Sequence, residues 1–355
     1  MSSPLADRTT FPPTSSAPSA TTARPLPKAE WHGLVAKYRR SSAWRASWQL
    51  INTLGPYALL TYVIYATLGV SFWLTLGLMV LAAAFLVRLF IIFHDCAHGS
   101  FFGSKLLNDV VGVLAGTLTF TPYHFWRARH NVHHATSGDL DRRGAGDVWT
   151  LTVREYMACS RWKRCLYRVG RNPVVLFVAA PLLYFVLTQR FCRLSAGWRD
   201  HLSVYTTNAA ILAVAAGLCA LFGIRSYLEV QMSVMMLAGA AGIWLFYVQH
   251  QFEGAYWERG GDWDYASAAL RGSSYYKLPG VLRWFSGSIG FHHIHHLSPR
   301  IPNYHLRRCH DAGALFSAVK PVTLLSSLKC LSLRLWDERR GELVGFRRLQ
   351  ESAEL

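Results

Sequence analysis

Four apolar runs constrain what this chain can become. Ile51–Val70, Phe72–Phe93, Val204–Phe222 and Glu229–Val248 are each about 20 residues long. At roughly 1.5 Å per helical residue, each is long enough to cross a hydrocarbon core of about 30 Å. A spanning segment must pair its own backbone polar groups, so the runs predict helices. Short links around Gly69–Ser71 and Gly223–Ser226 join them in pairs, which predicts two transmembrane hairpins. Two weaker segments lie between the hairpins. Val110–Phe120 is too short to span, and Pro173–Leu187 is short and interrupted by Pro181. Both are expected to be partly inserted or buried rather than spanning. Composition agrees: 52% of residues are hydrophobic and 16% charged, against about 25% charged in soluble domains.

The formal charge is +17, and its placement predicts orientation. Arg154, Arg161, Lys163, Arg164, Arg168 and Arg171 occupy the central loop, followed by Arg190, Arg193 and Arg199. Arg283, Arg300, Arg307 and Arg308 follow the last run. The positive-inside rule makes that side cytoplasmic, together with both termini. Arg88, near the end of the second run, is expected to snorkel to water. The basic residues form no separate soluble patch, so no nucleic-acid partner is expected. Residues 1–30, rich in Ser, Thr, Pro and Ala, predict a disordered tail without the apolar run of a signal peptide. Residues 31–330 form the membrane domain. Residues 331–355 predict an interfacial helix or a solvated tail. Seven cysteines without a CxxC pair argue against a disulfide framework or a Cys-rich zinc module.

The histidines are grouped. His94 and His98 are spaced i, i+4; His130, His133 and His134 are spaced i, i+3, i+4; His292, His295 and His296 repeat that spacing. On a helix these offsets put the rings on one face. Eight imidazoles exceed the four to six ligands that one ion usually takes, so the pattern suits two ions. All-imidazole ligation suits Fe, Cu, Zn or Ni rather than Mg or Ca.

Position tests this reading. The first cluster ends the second run, the second lies in the central loop, and the third follows the fourth run. They share one side of the membrane only if the two weak segments do not cross. His250 emerges at the same cytoplasmic mouth and is a ninth candidate. His293 is off the spacing, and His124, His201, His305 and His310 lack pattern. Ligand imidazoles usually donate their second N–H to a carboxylate or carbonyl. Asp95, Asp139, Asp147 and Glu253, with Asp141 and Asp262, are near enough in sequence to serve. Cys96 is expected to pack rather than ligate. The fold class expected is an all-α integral membrane protein. It has four transmembrane helices in two hairpins, interfacial helices, and a cytoplasmic helical cap carrying a di-metal site.

No nucleophilic-serine motif, P-loop or dinucleotide fingerprint is present. A lipid chain is the natural substrate at this depth. Its methylenes have no acidic proton, so removing hydrogen calls for a metal–oxygen oxidant, O2 and electrons.

The three clusters read HDCAH, HNVHH and HHIHH, with flanks HHATSGDLDRRGAGDVWTLTVREY at 133–156 and GSIGFHHIHHLSPRIPNYHL at 287–306. In these motifs, over roughly 40–320, the chain resembles the membrane-bound fatty acid desaturases, the bacterial acyl-lipid delta-12/omega-6 type above all. The resemblance implies two iron ions held by the box histidines plus one histidine between the second and third boxes, where His250 falls. It also implies O2-dependent formation of a cis double bond in an acyl lipid, in a bacterial inner membrane. Electrons would come from ferredoxin or cytochrome b5. No haem-binding segment or four-Cys pattern is evident, so the donor is expected to be a separate protein. Related histidine-box proteins that hydroxylate, ketolate or epoxidise lipids and carotenoids are the nearest alternative. A metal transporter is a distant one, because transporters place ligands near the midplane and these spans are nearly free of histidine.

Overall fold

A computed structural model describes residues 28–144, 146–317 and 319–349. Most of the tail expected at 1–30 therefore lies outside the described residues. The first half is helical throughout: α1 (Lys28–Ala36), α2 (Ala43–Thr67), α3 (Phe72–Ala97), α4 (Lys105–Leu118) and α5 (Tyr123–Thr136). A short strand β1 (Leu151–Thr152) leads into α6 (Val153–Ala158) and α7 (Arg161–Gly170). Two π-helical turns, Val175–Ala179 and Leu182–Leu187, precede the long α8 (Trp198–Phe222) and α9 (Ile224–His250). Then come α10 (Tyr265–Arg271), β2 (Tyr275–Lys277), α11 (Gly280–Phe285), α12 (His292–Leu297) and α13 (Asn303–Asp311). Strands β3 (Pro321–Thr323), β4 (Leu335–Asp337) and β5 (Glu342–Val344) complete the described chain.

Three helices, α3, α8 and α9, are long and apolar enough to cross a membrane. This differs from the expected four. Most of the first apolar run lies in α2, whose 25 residues reach about 37 Å, but Asn52, Thr53 and Pro56 dilute it. Thr53, Thr61 and Thr67 each donate to the carbonyl four residues back, which is how hydroxyls are tolerated on such a helix. The bent pair Arg161–Gly170 and Val175–Arg190, meeting at 59°, is apolar enough for a broken span or a re-entrant loop, and only the re-entrant loop leaves the histidine clusters on one side. Pro173 and Pro181 lie within it and deny the backbone two donors. The 14-residue α4, at about 21 Å, is too short to span.

Helix α3 is the spine. It packs on α2, α4 and α9, and nearly every residue from Phe85 to Ala97 is buried. Ile64 from α2, Leu86, Leu89, Ile92 and Phe93 from α3 and Val234 from α9 form the main apolar core. Arg88 does not snorkel outward. It is 6% exposed, donates to Thr53 Oγ1 and to the Trp284 carbonyl, and lies 3.8 Å over the Trp284 ring. Helices α8 and α9 are joined at Gly223, whose φ of +83° is a left-handed value that glycine adopts freely.

A second core sits beneath α12. Ile294, Leu297, Ile301, Leu306 and Phe316 pack there with Trp31 and Val35 of α1. The chain is not all-α: β1-β4-β5 form one small sheet and β2-β3 another. The first sheet corrects the C-terminal expectation. Leu335, Trp336, Leu343 and Val344 are buried on the strands β4 and β5, and β4 runs parallel to β1. These residues form paired, buried strands rather than an interfacial helix or a solvated tail.

Candidate metal centre

Four separate segments bring histidines to one place. The end of α3 carries His94 and His98, α5 carries His130, His133 and His134, α9 ends in His250, and α12 carries His292, His295 and His296. Local structure explains the convergence. Tyr123, at the start of α5, donates to the Cys96 carbonyl at 2.7 Å and ties α5 to the end of α3. Pro122 has no side-chain donor or acceptor to cap α5, and Ser203 of α8 substitutes, accepting from the His124 and Phe125 N–H groups. On α12, Ile294 and Leu297 face the second core while the histidines of the i, i+3, i+4 set face the opposite way.

All nine candidates fall into two groups whose ligand-capable atoms lie within 4.8 Å of one another. One group is His94, His98, His130, His134 and His295; the other is His133, His250, His292 and His296. The sequence clusters are thus shared between groups: α5 and α12 each contribute to both. Nitrogen pairs approach closely: His130 Nε2 to His134 Nε2 at 3.1 Å, His134 Nε2 to His295 Nε2 at 3.1 Å, and His250 Nε2 to His292 Nε2 at 3.0 Å. Neighbouring ligands around one six-coordinate ion with metal–nitrogen bonds of roughly 2.1 Å would lie about 3.0 Å apart. A neutral imidazole has one N–H, so His134 Nε2 can donate to at most one of the two ring nitrogens beside it. His98 Nε2, His133 Nε2 and His296 Nε2 are buried without a hydrogen-bond partner. Orphaned nitrogens converging in this way fit a pair of metal ions.

Electrostatics agree. Burial, reinforced by neighbouring imidazoles, pushes His134, His292, His295 and His296 well below the ordinary imidazole range. The rings are therefore neutral at neutral pH, with lone pairs free for a cation.

The carboxylate candidates separate. His133 Nδ1 donates to Asp147 Oδ1 at 2.5 Å, and Asp147 Oδ2 accepts from the Gly144 N–H at 2.9 Å. His94 Nδ1 lies 3.3 Å from Asp95 Oδ1. Asp95 Oδ2 accepts from the backbone and side-chain nitrogens of Asn303, at 2.6 and 2.9 Å. Asp139 instead closes its own turn, accepting from the Asp141 and Arg142 N–H groups. Asp141 pairs with Arg259. Glu253 and Asp262 are exposed and bond no candidate ligand among the described residues.

Of the unpatterned histidines, His293 and His310 face each other at 3.3 Å outside both groups. His201 bonds Cys192, and His124 is exposed. His305 is half-buried outside both groups. Cys96 is buried in the main core. Sequence reasoning missed Asn303, Trp126, which stacks on His130 at 4.2 Å, and Gly272, whose backbone hydrogen-bonds the His250 ring. For Asn303 the signal was its place in the flank of the third cluster.

Comparisons with known proteins show the family of the chain. A family model described as fatty acid desaturase matches residues 71–318. A "Fatty acid desaturase" of Bacillus subtilis is 46% identical over 89% of this chain and 90% of its own. Two proteins of Synechocystis sp. are more distant. An "sn-1 acyl-lipid omega-3 desaturase (ferredoxin)" is 29% identical over 76% of this chain and 72% of its own. An "sn-1 oleoyl-lipid 12-desaturase" is 26% identical over 77% and 76%.

Proposed function

The chain belongs to the fatty acid desaturase family of membrane oxidoreductases, and from that premise we propose that it inserts a cis double bond into the acyl chain of a membrane lipid, in the delta-12/omega-6 manner. The observation that carries the reading is the sorting of nine imidazoles into groups of five and four. In this reading both ions are iron. When bound, iron supplies activation of O2 and removal of hydrogen from an unactivated methylene. The nine histidines hold it, Asp147 and Asp95 fix the rings of His133 and His94, and burial keeps bulk water from the centre.

The site faces the cytoplasm of a bacterial inner membrane in this reading, and a separate ferredoxin delivers electrons. Exposed Arg161, Lys163 and Arg168 on α7 would attract an acidic donor. Raising ionic strength is expected to slow donor-dependent turnover, since long-range steering is screened beyond about 8 Å at physiological salt. Turnover indifferent to salt would remove steering from the account.

The direct test is the fatty-acid profile of a bacterial host expressing the chain, with double bonds located by mass spectrometry. A new cis-unsaturated acid, absent with His133→Ala, is expected. A hydroxy or epoxy acid instead would replace desaturation with oxygen insertion. Purified protein should carry about two irons per chain, matching the two histidine groups, and a chain without iron would overturn the assignment.

A further inference from the structure

A cavity of about 350 Å³ opens between α2, α3 and α11, away from both histidine groups. Its volume lies within the roughly 300–1,000 Å³ typical of small-ligand sites. Arg45, Gln49 and Asn52 of α2 and Arg88 of α3 line it, with Trp48 and Trp284 as aromatic walls. Among the described residues no carboxylate pairs with Arg45 or Arg88. Gln49 is 5% exposed, yet its Nε2 has no hydrogen-bond partner, and Asn52 Oδ1 has none either. A buried amide donor without an acceptor is uncommon and calls for an explanation. The cavity thus offers two cations, one unanswered donor and one unanswered acceptor.

Its surroundings set the depth. Trp44 and Trp48 are 77% and 56% exposed and stack on each other at 6.4 Å. Exposed indoles at the start of a helix with an exposed apolar face fit the headgroup level of the bilayer. Below them Ile51, Leu59 and Tyr62 present an exposed apolar face along α2, suited to lipid tails.

We propose that this cavity binds the headgroup of an anionic, hydroxyl-bearing glycerophospholipid such as phosphatidylglycerol. The phosphate lies against Arg45 and Arg88, an ester carbonyl accepts from Gln49 Nε2, and a headgroup hydroxyl donates to Asn52 Oδ1. Guanidinium groups recognise phosphate well because they present several donors in one plane. The inference concerns lipid binding alone and stands independently of the reaction proposed above.

The test uses the full chain in detergent, titrated with lipids of identical tails and followed by native mass spectrometry. Phosphatidylglycerol is expected to bind about tenfold more tightly than a neutral glycosyl-diacylglycerol, the scale of one charge-assisted hydrogen bond. Phosphatidylcholine, which keeps the phosphate but lacks the hydroxyls, should fall between them. The preference should disappear in Arg45→Ser/Gln49→Leu and persist in Arg40→Ser, which removes an exposed arginine outside the cavity. If the double variant does not fold, Arg45→Ser alone decides, because that side chain is exposed. Equal binding of phosphatidylglycerol and the glycolipid would overturn the proposal, as would a preference that survives Arg45→Ser. Displacement of the lipid by millimolar inorganic phosphate would overturn the lipid as ligand and assign the cavity to free phosphate. Iron content and product formation, measured on the same preparations, report separately on the proposed reaction.

Discussion

At the scale of single residues, the centre depends on atoms that never face a metal. Asp147 and Asp95 do the same work on His133 and His94, but they reach it differently. Asp95 adjoins its histidine in sequence, whereas Asp147 lies 14 positions beyond His133 in a turn. Proximity in sequence therefore did not separate Asp147 from Asp139, which spends its oxygens on its own turn. Asp147→Asn keeps the size and loses the charge that fixes the His133 Nδ1–H. Outer partners of this kind typically contribute 10–100-fold to metal affinity. In the proposed di-iron reading, Asp147→Asn should lose iron to a chelator about tenfold or more faster than the unaltered chain, while Asp139→Asn should not. The measurement is iron retained per chain against time.

At the scale of elements, the helices that cross the apolar layer were legible because length and hydropathy alone specify them. Helices α3, α8 and α9 contain the runs read from sequence, displaced by a few residues at the ends. The histidine spacing was legible for a similar reason, since i, i+3, i+4 is a property of one helix. What one helix cannot encode is which partner its rings meet. The division of α5 and α12 between two groups arises only from packing. The short strands were illegible because two or three residues hold no period of their own. Yet β2 sets the entrance to α12. A Cβ placed on Gly290 would lie 2.4 Å from the Tyr276 carbonyl oxygen, and the Tyr276 N–H donates to the Gly290 carbonyl at 2.7 Å. Gly290→Ala must push β2 and α12 apart. A cost of about 1–3 kcal/mol, the scale of overpacking, is expected in thermal unfolding, accompanied by a fall in iron content.

At the scale of the whole molecule, Arg171 joins parts that are far apart in sequence. Its Nη2 reaches Tyr247 Oη, Gln251 Oε1 and the Leu333 carbonyl at 3.2, 2.8 and 3.0 Å. The loop after α7, the end of α9 with His250, and the C-terminal segment thus share one guanidinium. The C-terminal sheet belongs to the same framework. Deleting residues 331–355 would remove the buried Leu335, Trp336, Leu343 and Val344, each of which contributes about 1.5–3 kcal/mol when fully buried. The truncated chain is expected to aggregate rather than elute as a single folded species in size-exclusion chromatography. A truncated chain that elutes and melts like the intact one would return this segment to a dispensable tail.

The spread of the histidines along the chain also sets a clock. The group of four is incomplete until His292 and His296 have been made and have docked against His133 and His250. The group of five likewise waits for His295. A ribosome must therefore release more than four-fifths of this protein, with its last apolar helix already inserted, before either group is whole. In the di-iron reading proposed above, loading with metal is consequently a late event in the life of each molecule. Until then the nascent chain holds neither histidine group whole.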